Sequence, residues 1–147
     1  MVGTGGLVLH YDGSEFVRED AGASTALFTV HGTGDRVTAV GGFAGGVLLE
    51  RDASGWRDVT PDAAGQLIGV YTTGDQAYAV GADGFVYRRD AAGSWALEPT
   101  ETGVYRPLHA VCIDDAGGVW AVGGQIQAAP FVNGVMLHKG SPIPGGL

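Results

Sequence analysis

The chain has 147 residues, 45% of them apolar and 16% charged, which is enough apolar matter for a buried core and too much for a disordered tail. Its 27 glycines give more than twice the usual share of about 7%; with six prolines they exclude a helical bundle, and their spacing lacks the every-third-residue register of collagen. Sixteen acidic residues against eight basic ones leave a net charge of −8, and the basic residues Arg18, Arg36, Arg51, Arg57, Arg88, Arg89, Arg106 and Lys139 are scattered, so no stripe exists to neutralise the phosphates of nucleic acid or an anionic membrane.

Met1-Val2-Gly3-Thr4-Gly5-Gly6 has neither the basic nor the apolar segment of a signal peptide, and no apolar run of about 18 residues is present to span a bilayer. Gly3-Thr4-Gly5-Gly6 reads as a turn rather than a phosphate loop, because no helix pattern and no Gly-Lys-Ser/Thr follows it. The first apolar run is Leu7 to Tyr11, closed by Asp12, and Phe16 opens a second. Leu27-Phe28-Thr29-Val30 begins another strand, a further one ends at Val40-Gly41, Val47 to Asp52 forms a third, and Trp56 opens a fourth. The same order returns at Leu67 to Val70, Val80-Gly81, Phe85 to Asp90 and Trp95, and again at Leu108 to Val111, Val122-Gly123 and Val135 to Gly140. Gly34-Asp35, Gly74-Asp75 and Asp115 to Gly118 supply the turns between first and second strands, since Gly and Asp tolerate the positive φ of tight hairpins. Asp12, Asp52 and Asp90 close the third strands as turn residues.

Four short strands in about 40 residues is the pattern of a β-propeller blade. The fold class expected is therefore all-β: four-stranded antiparallel meanders in about four blade units, at approximately 1–26, 27–66, 67–107 and 108–140, followed by a tail at 141–147. The first unit lacks its opening strand and the last its closing strand; Pro142 and Pro144 in the tail oppose a central strand. Trp56 and Trp95, with Phe16 in the same slot, are expected to be buried between blades, and the almost wholly apolar second strands, such as Val119 to Val122, are expected to be buried on both faces. Cys112, the single cysteine, allows no intrachain disulfide and is expected to be a buried small hydrophobe.

The core "VxAVGG…GGVLLERD…GW" resembles the bacterial neuraminidase repeat, or Asp-box-like, propellers of secreted bacterial proteins. Asp52, Gly55 and Trp56 match part of the Asp-box turn, whose threonine is missing. The resemblance implies the propeller fold and an extracytoplasmic protein, and it spans glycosidases as well as scaffolds. Three assemblies remain open: a portion of a larger propeller, a ring closed by a second copy or partner, or a small four-bladed ring.

Catalytic patterns are thin. His10, His31, His109 and His138 form no close pair, and Asp114-Asp115 lacks the alternating spacing of a calcium loop, so no metal and no cofactor is expected. A glycosidase would need two carboxylates across a cleft; Glu50, Glu98 and Glu101 are available, but Glu50 aligns with His10, Arg88 and His138 and so falls at a variable position. The arginine cluster that a sialidase-like site would need at the channel is not offered by Arg51, Arg88 and Arg89, which fall late on third strands, towards the outside. Two loops break the pattern, Glu101 to Pro107 and Gly124 to Asn133. Both should emerge on one face, where Tyr105, Arg106, Gln125, Gln127, Phe131 and Asn133 combine aromatic and hydrogen-bonding groups, as carbohydrate or peptide sites do; alternatively they pack on a further blade. The reading is a non-enzymatic binding or scaffold module for a carbohydrate or protein ligand, with a glycosidase as the alternative.

Overall fold

A computed structural model describes the chain except residues 75, 128, 132 and 143–147. Asp75 of the Gly74-Asp75 turn, two positions of the expanded loop and most of the expected tail thus lie outside the described residues. The architecture is all-β, without an α-helix among the described residues: β1(Val8–Tyr11), β2(Phe16–Glu19), β3(Leu27–Thr33), β4(Arg36–Gly41), β5(Val47–Asp52), β6(Gly55–Asp58), β7(Leu67–Thr73), β8(Gln76–Gly81), β9(Val86–Arg89), β10(Trp95–Leu97), β11(Leu108–Ile113), β12(Val119–Gly124) and β13(Gly134–Lys139). They form four antiparallel sheets in chain order, β1-β2, β3-β4-β5-β6, β7-β8-β9-β10 and β11-β12-β13. Val2 adds a bridge to Val8, so the chain enters the first sheet beside β1.

Glycine sets how the strands meet. Leu27 faces Gly41, Leu67 faces Gly81 and Leu108 faces Gly123, and an irregularity follows each pair. The residue before each leucine then receives a backbone bond at 2.9 Å: Gly42 N–H to the Ala26 carbonyl, Ala82 N–H to Gln66 and Gly124 N–H to Pro107. A Cβ on Gly41, Gly81 or Gly123 would run into that same carbonyl. The turns before β1 and β9 are short 3-10 segments, Thr4–Gly6 and Ala82–Gly84. Gly84 has φ 75° and its absent Cβ leaves room for the Val104 carbonyl.

The sheets stack in sequence through three apolar cores. Val8, Leu27, Ala39 and Leu49 join the first two; Val40, Leu48, Leu67, Ala77, Ala79, Tyr87 and Trp95 join the second and third; Tyr78, Val80, Val86, Leu108, Val111, Val119 and Ala121 join the third and fourth. The opening strands β3 and β7 lie side by side, with Thr29 Oγ1 donating to the Ile68 carbonyl at 2.6 Å and Thr72 N–H donating to His31 Nδ1 at 3.0 Å.

Several expectations are corrected. Trp95 is buried, but Trp56 is half-buried and Phe16 is 58% exposed. Phe16 lies opposite Tyr11 on the face of the first sheet turned away from the second, and their rings pack 5.1 Å apart. Cys112 is exposed, not buried. It pairs with Trp120, while its neighbour Val111 faces the third sheet, so strand alternation turns the thiol outward. Val122, 44% exposed, shares that outward side, so β12 is not buried on both faces as β4 and β8 nearly are. Arg89, expected outside, is buried.

Replacing Gly81 by Ala should destabilise the chain by about 1–3 kcal/mol, because the new methyl meets backbone that cannot step aside. Gly65→Ala, which meets only the ordinary contact distance of the Phe85 ring, should stay within about 0.5 kcal/mol. Urea titration of both variants measures the difference.

Candidate functional site

The Gly124–Pro107 bond ties the expanded loop to the connection that leads into β11. It brings Gln125 and Gln127 against Phe28, Gln66, Ile68 and His109 around a groove of about 230 Å³. The Gln127 N–H donates to Gln125 Oε1 at 3.2 Å, and His109 Nε2 lies 2.9 Å from the Gly124 carbonyl oxygen. Of the six loop residues expected to bind ligand, only these two glutamines share this groove. Tyr105 and Arg106 line a different hollow of about 450 Å³ with Gly103, Val104 and Val135. Phe131 and Asn133 are exposed and line neither. His109, Gln66 and Phe28 escaped sequence reasoning because they belong to strands or sheet connections, not to the loops that break the pattern.

The polar machinery with the most defined geometry lies between the sheets. Glu50 on β5 is 2% exposed. Its Oε1 accepts from Arg89 Nε at 2.5 Å and Trp95 Nε1 at 2.9 Å, both on the third sheet, and its Oε2 accepts from Arg57 Nη2 at 2.7 Å. Burial alone would raise its pKa, but the bonds from Arg57, Arg89 and Trp95 outweigh burial and hold it below its ordinary 4.5. Glu19 on β2 does the same work between the first two sheets. It accepts from Trp56 Nε1 at 2.6 Å and Arg51 Nε at 3.0 Å, with His10 Nδ1 at 3.2 Å, and it too is held below 4.5 as the Trp56 and Arg51 bonds overcome burial. Between the third and fourth sheets Glu98 takes Lys139, with Arg88 Nη1 3.9 Å away. One sequence signal pointed here: Glu19 and Glu98 each stand three residues after the aromatic that opens a fourth strand, and Arg51, Arg89 and Lys139 each follow the same point in a third strand.

The aspartates at strand ends serve turns. Asp12 Oδ1 accepts from the N–H of Glu15 and of Ser14 and from the Ser14 hydroxyl, which lowers its pKa to about 2. Asp52 accepts from Ser54 and Asp90 from the Ser94 N–H. Asp114 binds the N–H groups of Ala116 and Gly118 and the Trp120 indole at 2.8 Å. Among the described residues no group of three or more His, Cys, Asp or Glu is placed to hold a metal ion.

Glu50→Ala should cost about 3–5 kcal/mol, since it leaves the buried Arg89 guanidinium unpaired. Glu19 and Glu50 both titrate lower when folded than when unfolded. Their stabilisation is therefore complete above the ordinary value of 4.5 and is lost as pH falls below it through the folded values. The melting temperature should drop on acidification through that window, and less steeply in Glu50→Ala; calorimetry across pH measures both. No family model, no curated protein and no solved structure matches this chain.

Proposed function

We propose that this chain is a non-enzymatic binding or scaffold module, an arc of β-propeller blades that presents a ligand groove where the loop at 124–127 meets the connection ending at Pro107. The arc is read as one portion of a ring whose other blades come from a second copy or from further chain. The neuraminidase-repeat resemblance of the strand pattern and the stacking of four meander sheets support the propeller reading. The binding reading is carried by one observation: Gln125, Gln127, Gln66 and His109 gather beside Phe28 in one groove. Amides and an imidazole beside an aromatic ring suit the hydroxyls and apolar faces of a sugar, or the backbone amides of an extended peptide.

The glycosidase alternative gains nothing from Glu50 or Glu98. Glu50 is locked between two guanidinium groups and an indole and is held ionised, the opposite of a general acid with a raised pKa. Glu98 is committed to Lys139.

Immobilised neutral oligosaccharides and extended peptides test the groove. One of the two sets should bind saturably, and a Gln125→Ala/Gln127→Ala double variant should bind about tenfold more weakly. Turnover of an aryl glycoside by the chain, abolished by Glu101→Gln, would overturn the reading in favour of the enzyme.

A further inference from the structure

The three junctions between sheets share one register, and the third lacks the fourth-strand indole that the other two have, among the described residues. Ala39 pairs with Leu49, Ala79 with Tyr87 and Ala121 with Leu137. Two residues earlier on the same strands, Val37 pairs with Arg51, Ala77 with Arg89 and Val119 with Lys139. On the fourth strand Arg51 then pairs with Trp56 and Arg89 with Trp95. Each of these indoles donates to a carboxylate of the preceding sheet, Glu19 or Glu50, beside the cation of its own pair. Trp95 packs among Leu48, Val59, Ala77, Ala79 and Tyr87.

At the third junction Glu98 and Lys139 are in place, and β13 pairs with β12 alone among the described residues. Where an indole sits at the other junctions there is a cavity of about 400 Å³, lined by Val86, Glu98, Val119, Ala121, Leu137 and Lys139 among others. Position by position, Val86 corresponds to Leu48, Glu98 to Val59, Val119 to Ala77, Ala121 to Ala79 and Leu137 to Tyr87. The volume lies within the roughly 300–1,000 Å³ of ligand pockets. We propose that this cavity is a binding site for a tryptophan carried on an extended peptide strand, which pairs with the free edge of β13 while its indole N–H donates to Glu98. The strand edge supplies backbone bonds and the slot supplies specificity, as in other cases of strand addition. Glu98 offers a charged acceptor to an indole, a donor without acceptor capacity, as Glu19 and Glu50 do at the other two junctions. The slot is separate from the Gln125–Gln127 groove and stands or falls independently of it.

A fluorescently labelled peptide with the sequence of residues 53–60, which carries Trp56, is the probe, and its Trp56→Ala counterpart is the control. Anisotropy titration with the full chain should give saturable binding for the first peptide and binding about tenfold weaker or more for the second. Glu98→Gln in the protein should weaken the first peptide by a similar factor while its circular dichroism stays that of the unchanged chain; if that variant does not fold, the two peptides on the unchanged chain decide the matter. Absence of saturable binding at millimolar peptide, equal affinity of the two peptides, or a folded Glu98→Gln that binds as before would overturn the proposal. So would loss of binding in Gln125→Ala/Gln127→Ala with Glu98→Gln unaffected, which would seat the peptide in the loop groove.

Discussion

The contact on which the stack depends is a carboxylate placed between two sheets. Apolar side chains press sheets together without fixing how one slides over the next, since the attraction is non-directional. Glu50 removes that freedom. Its two oxygens are held by donors on its own sheet and on the third, including a planar guanidinium and an indole that point from adjacent strands of the neighbour. A shift of one residue would expose the opposite face of the strand and leave a buried ion without partners. Among the described residues no buried side-chain nitrogen or oxygen lacks a hydrogen-bond partner, so the specificity is obtained without an orphaned group.

The three carboxylate bridges are not copies. Glu19 and Glu98 occupy one position of the sheet and Glu50 another, two strands being able to deliver a carboxylate to the same place. Where Glu50 stands, the other sheets carry His10, Arg88 or His138, and His10 and Arg88 each approach the glutamate of their own sheet. Between the second and third sheets Val59 takes the position of the other glutamates and joins the apolar core. Opposite charge at the junction is thus kept while the residues that supply it change places.

Strand positions and turns were legible in the sequence because they rest on local chemistry. Leucine opening a strand, Val-Gly closing the next and Asp closing the third fix length and direction without reference to distant residues. Burial was less legible. Phe16 and Trp56 share a slot with Trp95, yet only Trp95 is enclosed, because enclosure depends on what lies across the face and not on the strand itself. Cys112 misled for the same reason: an apolar run implies two covered faces, and β11 has one. Glu50 looked interchangeable, since the corresponding positions carry a histidine or an arginine; its role became visible only when Arg89, distant in sequence, was seen to lie against it. The candidate loops were found where the pattern breaks, but the strands and connections that complete the groove break no pattern.

Each sheet is built from hairpins between consecutive strands, and each core joins sheets that are neighbours in the chain. Cooperativity in such a stack is one-dimensional, carried from layer to layer by nearest-neighbour coupling. A meander can form by itself within short loops, so the entropy of closing it is small, and the slower event is the docking of one finished layer on the next. The junction at Glu50 sits in the middle of that line. Weakening it divides the chain into two pairs of layers that melt separately, whereas weakening a terminal junction frays only one end.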